Sequence, residues 1–113
     1  MHEMSLCEGI LQIIQEHANQ QKFTKVKTVW LEVGELASVE IESLRFCFDV
    51  ISKNSLADNA TLNIINLPGK AWCLQCAQTV TISNRFSPCP ECGSYQLQIT
   101  GGEELKVKEL EVR

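Results

Sequence analysis

The sequence predicts an α+β (α/β) domain with a cysteine-rich module inserted between its strands. Apolar residues recur at helical spacing in two segments and alternate with polar residues in several others. Four of the six cysteines fall between residues 70 and 94, where periodic apolar residues are scarce. With 113 residues, 44% hydrophobic and 21% charged, the chain has the composition of one small globular domain carrying such a module.

Two amphipathic helices are predicted in the first half of the chain. From Ser5 to about Gln20, apolar residues form two adjacent stripes, and Glu, Gln and Asn occupy the opposite face. A second helix is expected after Ser38, which can cap it, with Glu40 and Glu42 in the first turn, where the helix dipole favours acids. Its apolar face consists of Ile41, Leu44, Cys47, Phe48 and Ile51.

Strands are predicted on both sides of the second helix. Residues 26–33 are rich in β-formers and alternate in polarity, and residues 60–67 form a second such segment. Alternation returns at residues 95–99 and 105–112, on either side of a Gly-Gly-Glu-Glu turn. These last two segments predict a terminal β-hairpin that follows the cysteine module.

Two Cys-x-x-Cys pairs, twelve residues apart, are the strongest motif. Four thiolates at this spacing can surround one ion tetrahedrally, an arrangement that Zn²⁺ prefers and that leaves no open position for catalysis. A thioredoxin-like site would use one pair at a helix start, and an iron–sulfur cluster normally shows different spacing. The predicted ligands are Cys73, Cys76, Cys89 and Cys92. Cys7 and Cys47 lie on apolar helix faces and are expected in the core.

Charge and missing motifs exclude several function classes. The net charge is −4 and the Lys and Arg residues are scattered, which argues against a nucleic-acid binder. The N-terminus lacks the features of a signal peptide, and no apolar segment is long enough to span a membrane, so a cytoplasmic location is expected. With two histidines and no nucleophile elbow, phosphate loop or HExxH motif, the chain is not expected to be an enzyme.

The first residues form a weaker candidate metal site. The Met1 amine, the His2 amide nitrogen and the His2 ring can chelate one ion in fused rings, and the amide of Glu3 or a carboxylate can complete the set. Nitrogen-rich planar coordination suits Ni²⁺ or Cu²⁺ better than Zn²⁺. Glu3 and Glu40 are the candidate supporting acids. The competing interpretations are a solvated terminal histidine and two first-turn helix acids.

Taken together, these motifs resemble the HypA/HybF family, nickel metallochaperones for [NiFe]-hydrogenase maturation. The resemblance rests on the Met-His-Glu start, the Trp30–Gly34 segment, the Arg45–Asp49 segment and both Cys-x-x-Cys knuckles, and it covers essentially the whole chain. It implies two helices on a three-stranded sheet, with a zinc-ribbon-like module inserted. Residues 1–68 plus 95–113 would form the nickel-binding domain, and residues 69–94 the zinc-binding domain.

The resemblance also implies ligands and partners. His2 would be the principal nickel ligand, aided by the Met1 amine and backbone nitrogens, with Glu3 and Glu40 at acidic positions near the site. The four knuckle cysteines would hold structural zinc. The implied partners are the maturation GTPase HypB and the hydrogenase large-subunit precursor, and a homodimer is also considered.

One position departs from the family, since several relatives carry a His directly after the last zinc Cys, where this chain has Gly93. Two other classes of function stay open at this point. One is a zinc-ribbon interaction adaptor with no nickel role, and the other is a thiol–disulfide enzyme that uses one Cys-x-x-Cys pair.

Overall fold

The computed structural model describes residues 2–113 and contains two helices and six strands. Helix α1 spans Glu3–Gln21 and helix α2 spans Ile41–Ser52. The strands are β1 Val26–Gly34, β2 Thr61–Leu67, β3 Gly69–Cys73, β4 Gln78–Ile82, β5 Leu97–Gly101 and β6 Leu105–Val112. A short 3₁₀ helix, Glu35–Ala37, follows β1. No helix among these residues is long and apolar enough to cross a membrane.

The strands form two three-stranded sheets, with the orders β2-β1-β6 and β4-β3-β5. The predicted α+β class, with two helices and a three-stranded sheet, is therefore confirmed. The predicted terminal hairpin is wrong, because β5 pairs antiparallel with β3 and β6 joins β1. Alternating polarity identifies a strand and its buried face, but it does not identify the neighbouring strand.

The chain packs into two compact units. The first unit takes in the residues up to Leu31, Val39–Ile64 and Lys106–Arg113. The second takes in Glu32–Ser38 and Ile65–Leu105, and it therefore contains the predicted insertion at 69–94 together with further segments. The assignment of nickel binding and zinc binding to separate domains stays a prediction.

The core of the first unit comes from the apolar faces of both helices and from β1. Cys7 and Cys47 are buried there, as expected, and the Cys7 thiol donates a hydrogen bond to the Leu44 carbonyl over 3.4 Å. Burial, together with the neighbouring Cys47, raises the pKa of the Cys7 thiol to about 11. The other buried apolar residues are Ile10, Ile14, Ala18, Val26, Val29, Leu31, Leu44, Phe48 and Ala57.

Helix α2 begins later than Ser38, the predicted cap. Ser38 adopts a left-handed backbone conformation, with φ 58°, and ends the short 3₁₀ helix. Glu40 has the extended backbone of an N-cap, and its Oε1 accepts a hydrogen bond from the Glu42 N–H over 3.2 Å. The cap is therefore an acid two residues further along the chain.

The second unit has its own small core beneath the sheet β4-β3-β5. The core consists of Leu36, Ala71, Cys73, Val80, Ile82 and Cys89, with Leu97 and Ile99 packed against it. Nearby, three chain segments cross in close contact at Gly34, Gly69 and Gly102. A Cβ on Gly102, whose φ is +89°, would lie 2.6 Å from the Gly69 Cα and the Pro68 oxygen, so only glycine fits this crossing.

Candidate metal centres

Two loops of similar construction bring the four cysteines of the second unit together. In the first, the Ala77 N–H donates to the Cys73 carbonyl over 2.8 Å, and Ala77 has a positive φ of 52°. In the second, the Gly93 N–H donates to the Cys89 carbonyl over 2.8 Å, and Gly93 has a positive φ of 77°. Each Cys-x-x-Cys pair is thus closed by a left-handed residue directly after its second cysteine.

The four sulfurs form one compact cluster. The Sγ atoms of Cys73, Cys76, Cys89 and Cys92 all lie within 4.8 Å of one another. The Cys73–Cys92 separation is 3.6 Å, and the Cys76–Cys89 separation is 3.9 Å. Zn–S bonds of about 2.3 Å in a tetrahedron require sulfur separations of about 3.8 Å. The arrangement therefore fits a tetrahedral four-thiolate metal site.

Backbone N–H groups point at two of these sulfurs. The Cys76 N–H donates to Cys73 Sγ, and the Glu91 N–H donates to Cys89 Sγ, each over 3.4 Å. Although burial opposes the change, hydrogen bonds from the Cys92 and Glu91 backbone lower the pKa of the Cys89 thiol to about 7. These N–H groups stabilise the Cys89 thiolate, the form that binds a metal, whereas the hydrogen bond with Cys92 and burial raise the pKa of the Cys76 thiol to about 12.

The geometry also bears on the thiol–disulfide alternative. All six cysteines are free, and the sulfur separations of 3.6 Å and 3.9 Å join cysteines of different knuckles. An oxidised redox pair would join the two sulfurs of one Cys-x-x-Cys motif in a bond of about 2.05 Å. Cys73 and Cys89 are buried in the core of the unit. The convergence of all four sulfurs therefore favours one four-thiolate site over a redox pair within a single knuckle.

The second candidate centre lies where α1 begins, in the first unit. Met1 falls outside the described residues, so the geometry of its amine is not described. The His2 side chain is 54% exposed, and its Nδ1 lies 3.9 Å from Glu3 Oε2. His2 is the N-cap of α1, and its carbonyl accepts a hydrogen bond from the Leu6 N–H.

Glu3 connects the start of α1 to the start of α2. It is only 5% exposed, and its Oε2 accepts a hydrogen bond from the Glu40 N–H over 3.3 Å. Backbone hydrogen bonds from Glu40 and from Glu3 itself lower the pKa of the Glu3 carboxyl, although burial opposes this shift. The structure therefore brings His2, Glu3 and the Glu40 backbone together, while the Glu40 carboxylate caps α2.

The burial of Glu3 was not predicted, although its signal is present in the sequence. Glu3 lies on the buried stripe of α1 that continues through Cys7, Ile10 and Ile14. An acid in register with buried apolar residues needs a hydrogen-bond partner, and Glu40 supplies it from 37 residues away. His17, further along α1, is exposed.

Comparison with known proteins supports the same interpretation. A family model described as hydrogenase/urease nickel incorporation, metallochaperone, hypA matches residues 1–112. A protein of Azotobacter chroococcum mcd 1 named hydrogenase maturation factor HypA is 59% identical over 112 residues, which is 99% of each chain. A protein of the same name from Rhodopseudomonas palustris (strain BisA53) is 56% identical over the same length and coverage.

The fold also matches a solved structure. The solution structure of the Ni metallochaperone HypA from Helicobacter pylori superposes with a TM-score of 0.72 at 24% identity, covering 99% of this chain and 97% of that one. At this identity the match shows the fold alone.

Proposed function

This chain belongs to the HypA family of nickel-incorporation metallochaperones for hydrogenase maturation, and we propose that it binds Ni(II) and delivers it to the [NiFe]-hydrogenase large-subunit precursor. The family consists of maturation factors and not of enzymes. The observation that carries the proposal is the start of α1, where the exposed His2 ring lies 3.9 Å from the carboxylate of the buried Glu3.

The first amides of α1 are not used in hydrogen bonds within the helix. The first four N–H groups of an α-helix have no intrahelical carbonyl partner, and the amide nitrogens of His2 and Glu3 are among them. We propose that these two amide nitrogens, each after losing its proton to solvent, hold the ion together with the His2 ring and the Met1 amine, so that nickel binding weakens as the pH falls. Such a planar nitrogen set suits Ni²⁺ or Cu²⁺ better than Zn²⁺, and the nickel-incorporation role of the family favours Ni²⁺.

Glu3 and Glu40 support this site in different ways. Glu3 is fixed by the Glu40 N–H and lies beside the His2 ring, so its carboxylate positions the ring and lends negative charge to the cation site. The Glu40 carboxylate accepts a hydrogen bond from the Glu42 N–H, so it acts on the ion through its negative charge and not as a ligand. A chelate at a chain end also permits release, because its ligands detach one after another.

The four-cysteine cluster is proposed to hold zinc. Its sulfur separations and closed thiolate set fit Zn²⁺, which supplies folding free energy in a site of this kind. The knuckles Cys73–Cys76 and Cys89–Cys92 would then present a fixed surface to partners. The maturation GTPase HypB and the large-subunit precursor are the proposed partners, together with a second copy of this chain, and cytoplasmic delivery stays a prediction.

A transfer experiment tests the delivery step. The zinc-loaded chain, charged with radioactive Ni(II), is mixed with purified large-subunit precursor, and the two proteins are then separated and counted. We expect nickel to move to the precursor from the wild type and from His17→Ala, an exposed histidine of the same helix. His2→Ala should carry little nickel. Nickel that stays with the chain, or equal transfer from His2→Ala, would overturn the proposal.

A further inference from the structure

The second unit leaves its tryptophan outside its core. Along β3, Ala71 and Cys73 are fully buried, whereas Trp72 between them is 38% exposed. On the neighbouring strands it lies opposite Thr79 of β4 and Gln98 of β5, which are both exposed. A tryptophan side chain can bury about 150–250 Å² when another molecule covers it. The side of the sheet away from the core therefore has an uncovered aromatic surface on its central strand.

The charge of this outer face differs from that of the whole chain. The outer face consists of Lys70, Trp72, Thr79, Thr81 and Gln98. It has one lysine and no acid, although the chain has 14 acids against ten Lys and Arg. Among residues 2–113, the Lys70 ammonium hydrogen-bonds to Thr81 Oγ1 alone, over 2.9 Å. An ammonium has three N–H donors, so Lys70 can still donate to a ligand on this face.

We propose that the outer face binds an extended segment of another protein, in which an acidic side chain lies two residues from an apolar one. Lys70 and Trp72 are two residues apart on β3, so their side chains stand on the same face about 6.6 Å apart. An extended peptide repeats its side chains at the same distance. Its carboxylate can therefore accept a hydrogen bond from Lys70 while its apolar side chain covers the indole of Trp72.

The neighbours of Trp72 favour a peptide over a nucleic acid. The Thr79 hydroxyl and the Gln98 amide lie on either side of the indole, and each can both donate to and accept from a peptide backbone. A nucleic acid would need several cations for its phosphates, and the outer face has one. The inference rests on the proposed function only in that the second unit meets partner proteins, because no proposed metal ligand belongs to the outer face.

The test titrates the full-length, zinc-loaded chain into fluorescently labelled synthetic peptides and follows their anisotropy. The first peptide, Gly-Ser-Asp-Thr-Phe-Ser-Gly, places its acid and its ring two residues apart, and a control peptide has Asn in place of Asp. We expect the Asp peptide to bind with a Kd of about 0.1–1 mM, as befits a contact with two anchors. The Asn peptide should bind about two- to fivefold more weakly, the range for an exposed ion pair.

Two variants and one control assign the contact to the outer face. Trp72→Thr keeps a strand-forming residue at an exposed position and should weaken binding about tenfold or more. Lys70→Glu should reverse the preference, so that a peptide with Lys in place of Asp binds better than the Asp peptide. Lys108→Gln removes an exposed lysine of β6 and should leave the affinity unchanged. Zinc content and thermal unfolding establish that each variant is folded.

Several results would overturn the proposal. The wild type could leave the Asp peptide unbound, Trp72→Thr could bind it as tightly as the wild type does, or Lys70→Glu could keep the original preference. Tighter binding of an oligothymidine than of the Asp peptide would assign the outer face to single-stranded nucleic acid and would also overturn it. A nickel titration of Trp72→Thr separates this inference from the proposed function, because nickel affinity should equal that of the wild type whatever the peptides do.

Discussion

Replacing Glu40 distinguishes a helix cap from a nickel ligand. Its Oε1 accepts the Glu42 N–H at the start of α2, so Glu40→Ala removes both the cap and a carboxylate near Glu3. Glu40→Ser removes the carboxylate but keeps a side chain that caps helices well. The two variants therefore differ in capping while both lack the charge.

The expected loss of stability follows from the hydrogen bond. Losing a cap costs about 0.5–2 kcal/mol, and because Glu40 is exposed and its bond is 3.2 Å long, we expect the lower half of that range. For a chain of 113 residues the unfolding entropy is about 0.24 kcal/mol/K. The Tm of Glu40→Ala should therefore fall by about 2–5 °C, and that of Glu40→Ser should stay near the wild-type value.

Thermal unfolding and nickel titration of the same samples complete the test. We expect both variants to keep their nickel affinity within about threefold, since an outer carboxylate acts through solvent-screened charge alone. Equal Tm values for the alanine and serine variants would refute the cap. A loss of nickel affinity of tenfold or more in both variants would make Glu40 a direct ligand instead.

Three further predictions concern the metal cluster, a backbone crossing and an acid. Cys76→Ser should abolish tight zinc binding, measured by metal analysis after dialysis, and should loosen the second unit in hydrogen exchange, because the cluster shares its core. Gly102→Ala should cost about 3 kcal/mol or more in urea unfolding and Gly93→Ala about 1 kcal/mol, since both have positive φ but only Gly102 is crowded. Glu3→Gln should flatten the loss of stability below about pH 4.5, where the wild type protonates a carboxyl whose pKa folding lowers.

Each of these has a contrary result. Retention of one zinc per chain in Cys76→Ser would show that three sulfurs suffice. Equal costs for the two glycine variants would mean that the crossing at Gly102 relaxes freely. For Glu3, stability gained from a depressed pKa is present above the unfolded value and is lost as the pH falls. If the free energies of unfolding of the wild type and Glu3→Gln fall in parallel as the pH is lowered, folding leaves the pKa of the Glu3 carboxyl unchanged.

Local patterns predicted the helices, most strands and the cysteine cluster. Helix α1 follows from apolar spacing, and the four sulfurs converge because two short knuckles each fix their own geometry. These features depend on residues that are close together in the sequence. The spacing of Cys73 and Cys76, for example, determines how both sulfurs face one ion.

Features that join distant segments were not predicted. The alternation at residues 95–99 identifies a strand, but its pairing with β3 depends on the competition between partners across the whole chain. Glu40, not Ser38, caps α2, because the preceding 3₁₀ helix puts Ser38 in a left-handed conformation. The hydrogen bond from the Glu40 N–H to Glu3 spans 37 residues, and no local pattern encodes it.

The most direct test of the nickel proposal is a calorimetric Ni(II) titration of the zinc-loaded protein beside a form with one extra residue before Met1. The extension keeps every side chain and displaces only the terminal amine. The proposal predicts one tightly bound nickel per native chain, and binding at least tenfold weaker in the extended form, since the amine is one of four donors. Equal affinities would place nickel elsewhere and contradict the terminal chelate.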